Sequence, residues 1–203
     1  MRTTLKKLAL CISISLLAFA AKAQLKGGIV GGVITGPVKI ENVGDRFVDV
    51  INGNNITGFE AGVFLKPELG FLYLRPEALY QFRNGTVTYT TTTESGQQTA
   101  TFSLHKVEVP VLLGINLPGP FYVEAGPTFN YIVGITEQYN ANTVDVNQSA
   151  MGYRVGVGAE IGPLLLSANM GGTSAVITGN KAVFSEPYKF IFGLGFIFGN
   201  TKK

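Results

Sequence analysis

Apolar and polar residues alternate along the chain from residue 24 onward. In residues 105–114, HKVEVPVLLG, one set of positions reads His105, Val107, Val109, Val111 and Leu113, and the other reads Lys106, Glu108, Pro110, Leu112 and Gly114. Successive side chains of a strand point to opposite faces, so this stretch has one apolar face and one face of charges and glycine. The same division recurs. Phe121, Val123, Ala125, Pro127, Phe129 and Tyr131 oppose Tyr122, Glu124, Gly126, Thr128 and Asn130. Leu72, Leu74, Pro76, Ala78, Tyr80 and Phe82 oppose Tyr73, Arg75, Glu77, Leu79 and Gln81. Tyr153, Val155, Val157, Ala159 and Ile161 oppose Arg154, Gly156, Gly158 and Glu160, and Phe190 to Phe198 oppose a face with Lys189 and two glycines. Helical periodicity is nearly absent. The alternation predicts eight strands, at about 25–35, 56–66, 69–86, 99–116, 120–134, 151–162, 163–173 and 187–198.

The connections sort into two kinds. KPEL (66–69), NLPGP (116–120) and IGP (161–163) are tight turns in which Pro sets φ and Gly supplies positive φ. The others are long and polar, among them a Thr-rich stretch over residues 86–101. Long and short connections alternate, and an even strand count puts both termini on the side of the short turns. That is the layout of an outer-membrane barrel with short periplasmic turns and long extracellular loops. Asn84-Gly85 has the composition of a tight hairpin, which would split the third strand and spoil the even count. A long hairpin continuing through the Thr run is the better reading. The fold expected is an all-β, eight-stranded antiparallel up-and-down transmembrane barrel.

Parity alone does not say which face is inside. A soluble lipid-binding barrel would turn the apolar face inward, but its outer face should then be dense in charge. Here that face is sparse and rich in glycine, which suits the crowded interior of a small barrel. The charged face is therefore expected inside, with Glu60, Glu77, Glu108, Glu124 and Glu160 as acids and Arg75, Lys106, Arg154 and Lys189 as bases. Such a balance is what a narrow, dry lumen needs, because buried charge is tolerable only when paired. Phe59, Tyr80, Phe82, Phe121, Phe129, Tyr131, Tyr153, Phe190 and Phe198 fall on the apolar faces, mostly near strand ends, where an aromatic girdle sits at the membrane interfaces. Pro76, Pro110 and Pro127 each remove a ladder donor inside a strand, and bulges are expected there.

The first 23 residues have a different pattern. MRTTLKK is basic, LALCISISLLAFA is apolar and too short for a comfortable membrane helix, and AKA precedes Gln24. This reads as a signal peptide over 1–23, cut near Ala23-Gln24, followed by one domain over 24–203. The one cysteine, Cys11, goes with it, so disulfides and thiolate metal sites are not expected. Arg2, Lys6, Lys7 and Lys22 also leave, which turns the formal charge of +3 to −1 and removes any nucleic-acid reading based on basicity.

Candidate chemistry is thin. Catalysis needs a nucleophile, a base and an orienting group within reach. The one histidine, His105, shares its face with Ser103, but no acid follows on that face. GIVGGVITG (28–36) opens no helix and is no dinucleotide loop. The chain is therefore expected to be no enzyme and to hold no metal or cofactor. The readings kept beside a plugged outer-membrane barrel are a membrane-embedded lipid-modifying enzyme and a soluble periplasmic lipid-binding barrel. The partners expected are outer-membrane lipids, the barrel-assembly machinery during insertion, and an unidentified ligand of the extracellular loops.

LYLRPEALYQFRNG (72–85), LHKVEVPVLLGINL (104–117) and FYVEAGPTFNYIVG (121–134) resemble recurring segments of the PorT-type outer-membrane β-barrel proteins of Bacteroidetes. Pro76-Glu77, Glu108-Val109-Pro110 and Ala125-Gly126-Pro127 match that family's motifs in order. The resemblance spans most of residues 24–198. It implies a small barrel in the outer membrane, with a possible link to secretion or envelope assembly, and says little about activity. The chain departs from the family's pattern at its end, where Phe198 is followed by five more residues.

Overall fold

The computed structural model describes residues 24–41, 51–90, 97–137, 149–174 and 183–199. The expected signal peptide, and most of each long connection, lie outside the described residues. Eight strands follow in order: β1 (Gln24–Glu41), β2 (Ile51–Leu69), β3 (Leu72–Thr90), β4 (Gln97–Asn116), β5 (Phe121–Glu137), β6 (Ser149–Ile161), β7 (Leu164–Ser174) and β8 (Val183–Phe198). Each pairs antiparallel with its neighbours, and β1 pairs with β8, so the sheet closes into a barrel. Most strands run further on the loop side than the hydrophobic pattern indicates. β1 continues to Glu41 and β8 begins at Val183, because polar residues there still pair across the ladder (Lys39 with Asn52, Lys39 with Ser185). β3 passes through Asn84-Gly85 unbroken, with Thr86 opposite Thr101 and Thr88 opposite Thr99.

The expected turn at KPEL is displaced. Lys66 to Leu69 belong to β2, and the chain reverses at Gly70-Phe71, where Gly70 takes φ +64°. The other reversals, at 117–120 and 162–163, also place a glycine at positive φ, Gly119 at +83° and Gly162 at +62°. Short backbone bonds knit this rim: Asn116 N donates to Phe71 O at 2.8 Å, Glu160 N to Pro120 O at 2.8 Å and Ile197 N to Pro163 O at 2.7 Å.

The expected bulges at Pro76, Pro110 and Pro127 do not occur. Pairing simply skips 65–67 against 74–76, 77–78 against 109–110, and 111–112 against 126–127, then resumes in the same register. A one-residue shift there would turn every later charge of the strand toward lipid, so register is kept and ladder bonds are lost instead. The register shifts fall nearer the loops, at Gly36/Val38 around Pro37, at His105/Lys106, and at Gly171/Thr173 opposite Pro187.

Burial follows parity around the whole barrel. Leu25, Val33, Val63, Leu113, Val157, Phe192 and Leu194 are each more than half exposed, whereas Arg75, Lys106, Glu108 and Arg154 are almost wholly buried. A continuous apolar outer belt on every strand is far beyond what a water-soluble monomer exposes. The interior glycines face large residues directly across the ladder. Gly114 pairs with Tyr73, Gly158 with Tyr122, Gly28 with Phe64 and Gly58 with Arg83. A Cβ on Gly114 would run into the Tyr73 ring, and one on Gly158 into the Tyr122 ring. Each large side chain therefore lies over the bare backbone of its neighbour, which is how an eight-stranded interior is filled.

This packing predicts a size exchange. Gly114→Val should block refolding, seen as loss of the heat-modifiable fast-migrating band, since overpacking costs about 1–3 kcal/mol or more. Gly114→Val combined with Tyr73→Ala should recover part of that band. A double variant as damaged as Gly114→Val alone would show that the ring is not what the glycine accommodates.

Candidate functional site

The interior charges form two groups of ion pairs stacked along the barrel axis, a turn-side cluster and a larger central and loop-side network, separated by an apolar layer. At the turn-side rim Lys26 and Lys66 face Glu68 and Glu160. Lys26 lies 2.9 Å from Glu68 and 3.3 Å from Glu160, and Lys66 lies 2.9 Å from Glu68 and also pairs with Glu160. Lys66 Nζ sits 3.9 Å from the centre of the Tyr73 ring, a cation–π contact that leads inward. Tyr73 and Tyr122 meet edge to face at 6.1 Å and, with Val30, Phe64, Leu79, Leu165 and Ile197, form an apolar layer.

Above that layer Tyr73 Oη donates to Glu124 at 2.9 Å, and Arg75 pairs with Glu124 and, at 2.7 Å, with Glu77. Arg154 is the hub of the next level. Its terminal nitrogens reach Glu60 at 2.9 Å, Glu108 at 2.7 Å and Glu77 at 3.6 Å. Gln81 Nε2 donates to Glu60 at 2.6 Å. Glu108 also receives Lys189, and Lys106 lies 3.4 Å away. On the loop side Glu186 gathers Arg83 and Lys106, with Lys189 at 3.6 Å and Thr173 Oγ1 donating at 3.0 Å. Arg83 completes the layer by donating to the carbonyls of Gly36 and Ile56, both at 2.6 Å.

Among the described residues the interior therefore holds seven bases (Lys26, Lys66, Arg75, Arg83, Lys106, Arg154, Lys189) and seven acids (Glu60, Glu68, Glu77, Glu108, Glu124, Glu160, Glu186), each with an opposite charge within 4 Å. Of the residues singled out from the sequence, Glu60, Arg75, Glu77, Lys106, Glu108, Glu124 and Arg154 lie in the buried network, and Glu160 lies at its more open rim. Arg83 was missed because the inward face of the third strand was followed only to Gln81, Glu186 because it lies just outside the expected strand 187–198, and Lys66 and Glu68 because they were assigned to a turn. Parity with Gln81 and with Phe64 was the available signal for Arg83 and for Lys66 and Glu68; Glu186 is out of parity with Lys189 and turns inward only because the register shifts between Gly171 and Thr173.

The aromatic residues singled out lie on the outer surface. Phe59, Tyr80, Phe121, Phe129, Tyr131, Tyr153, Phe190 and Phe198 are all exposed, and Phe82 is half-buried between Phe59 and His105. His105 is not poised against Ser103: its Nδ1 is 2.5 Å from Tyr80 Oη. No cluster of side chains suited to a metal occurs among the described residues.

Residues 22–172 match the family of the outer membrane protein beta-barrel domain, and the chain belongs to that family. Among solved structures, OprG from Pseudomonas aeruginosa matches with TM-score 0.57 and 10% identity, covering 88% of this chain and 98% of that chain. Neisserial surface protein A matches with TM-score 0.54 and 10% identity, covering 86% and 97%. At that identity the likeness is one of fold. No curated protein matches the sequence. The protein is thus a small β-barrel of the outer membrane, and a soluble periplasmic barrel is excluded. One expectation is corrected by the comparisons. The outer membrane protease OmpT from Escherichia coli also matches, with TM-score 0.41 and 10% identity over 87% of this chain and 97% of that chain. The expectation that the chain is no enzyme is withdrawn.

The network predicts a strong contrast between adjacent positions. Glu108→Ala takes one carboxylate from Arg154, Lys189 and Lys106 together and leaves the buried network with one base in excess, and should cost about 3–5 kcal/mol, the penalty for removing one partner of a buried pair. Val109→Ala, on the lipid side, should cost much less, because lipid fills the missing volume. Urea unfolding of the refolded barrel in lipid measures both; a larger loss for Val109→Ala would contradict the contrast.

Proposed function

We propose that this outer-membrane barrel is plugged permanently by its own side chains and works through its loops, in a structural role or by binding an extracellular ligand. The observation that carries this reading is the filled interior, from the ion-pair cluster around Lys26 at one rim, through the Tyr73–Tyr122 layer, to the network that ends at Glu186 on the loop side, in which every described charge is matched. A diffusive pore needs a continuous water path, and eight strands leave an interior only wide enough for side chains. The long connections then lie outside the cell and the turns in the periplasm. The outward aromatics serve as interfacial anchors, with Phe71, Tyr188 and Phe196 adding to those read from the sequence.

The three proline-containing motifs support a PorT-type barrel of Bacteroidetes, with a role linked to secretion or envelope assembly. Residues 1–23 act as a cleaved export signal. Phe198, outward-facing at the end of β8, presents the strand terminus to the barrel-assembly machinery during insertion.

In planar bilayers the purified mature chain should insert without stepwise conductance; steady single-channel currents would sink the plugged reading. Sidedness is tested separately on intact cells with an impermeant thiol reagent. Ser95→Cys, in the Thr-rich connection, should label, and Pro118→Cys, in a turn, should not. The expected loss of Cys11 with the signal leaves no background thiol. Labelling at Pro118→Cys alone would reverse the orientation.

A further inference from the structure

The outer surface carries one feature that the plug does not use. The described charged side chains all belong to the interior network, and the outward face of β4 below His105 is aliphatic: Val107, Val109, Val111, Leu113 and Ile115. His105 interrupts that face one step before the polar Ser103, at the level where apolar outward residues give way to polar ones. It does not stand alone. Tyr80 Oη lies 2.5 Å from its Nδ1, and Phe82 packs 4.9 Å from its ring centre, with Phe59 a further 5.4 Å beyond. On its other side β5 bulges, so His105 pairs with Gly134 while Lys106 pairs with Ile132. A Cβ on Gly134 would meet nothing within 4 Å, so open space adjoins the imidazole.

A histidine held in this way has a definite need. Tyr80 occupies Nδ1, which leaves Nε2 as the ring's free polar atom. Hydrocarbon offers it no partner, and an unpaired polar group there is costly. With Tyr80 Oη donating to Nδ1, the ring proton sits on Nε2, and that N–H is a donor whose best partner is an anionic oxygen. No described carboxylate faces outward to supply one. At this depth the anionic oxygens are those of lipid headgroups.

We propose that His105, oriented by Tyr80 and set between the Phe59–Phe82 aromatic row and the Gly134 notch, is a binding site for the phosphate group of a membrane lipid in the loop-side leaflet. The aromatic row packs the neighbouring acyl or glycerol portion, and the notch admits the headgroup beside the ring. Tyr80 is a positioning residue: it fixes which nitrogen is presented. The inference rests on the membrane embedding of the barrel and holds whichever side the loops face.

Because His105 is the chain's one histidine, labelling all histidine with 15N reports on this site alone. The full mature chain, refolded in phosphatidylcholine bilayers in phosphate-free buffer, should show 15N–31P dipolar dephasing of Nε2 and not of Nδ1. Tyr80→Phe keeps the depth of His105 and removes the orienting bond, and the selective dephasing should be lost. In galactolipid bilayers with inorganic phosphate in the buffer, none should appear. Absence of dephasing in the wild type overturns the site. Dephasing unchanged in Tyr80→Phe reduces it to depth alone, and dephasing in the galactolipid sample shows free phosphate rather than lipid as the ligand; either result also overturns the proposal. Heat-modifiable migration and co-sedimentation with the vesicles show independently that each sample is an inserted barrel.

Discussion

Hydrocarbon supplies no hydrogen-bond partner, and that constraint organises the whole molecule. A strand in lipid must satisfy its backbone against other strands, and only a closed sheet leaves no edge unsatisfied. The pairing of β1 with β8, Gly27 opposite Phe198 through Thr35 opposite Phe190, is therefore the step that makes the fold possible. Closure with eight strands then fixes how little space remains inside. The outward face needs only to be apolar, and Val, Leu, Ile and Phe serve almost interchangeably there. The inward face must fill a narrow volume and must differ from lipid, or nothing would tell the strands which way to turn. Charge provides that difference, at the cost of requiring a partner for every ion. Seven bases facing seven acids, within an interior whose glycines lie under rings and guanidinium groups, is one solution to both demands.

Much of this was legible in the sequence, because a period of two carries face information directly. Residues 104–114 and 121–132 assign themselves once alternation is seen, and the order of long and short connections points to a barrel without any knowledge of contacts. Less was legible at the strand ends. Glu186 sits among polar residues where hydrophobicity no longer signals a strand, yet the ladder continues and places it with Arg83, two positions beyond the last inward residue followed on β3, at the core of the loop-side cluster. Lys66 and Glu68 were obscured by Pro67, whose presence suggests a turn, although the chain reverses three residues later at Gly70-Phe71. Nor could parity show which acid meets which base. That depends on strand tilt, which brings Glu60 of β2 to Arg154 of β6 across the lumen.

The prolines show how the two kinds of support divide the work. Ladder pairing is interrupted between β2 and β3, β3 and β4, and β4 and β5, one gap after another around one side of the wall. Pairing between β5 and β6 and between β6 and β7 is continuous. The strands that lose lateral bonds are those whose inward charges reach across the lumen: Glu77 of β3 to Arg154 of β6, Glu108 of β4 to Arg154 and Lys189 of β8, and Lys106 of β4 to Glu186 of β8. The proline-interrupted side of the wall is thus tied through the interior to the opposite side. A bulge at each proline would have relieved the missing donor locally, but it would have turned these charges toward lipid. Keeping register and giving up a few ladder bonds preserves the transverse ties, and those ties explain why three mid-strand prolines are compatible with a closed barrel.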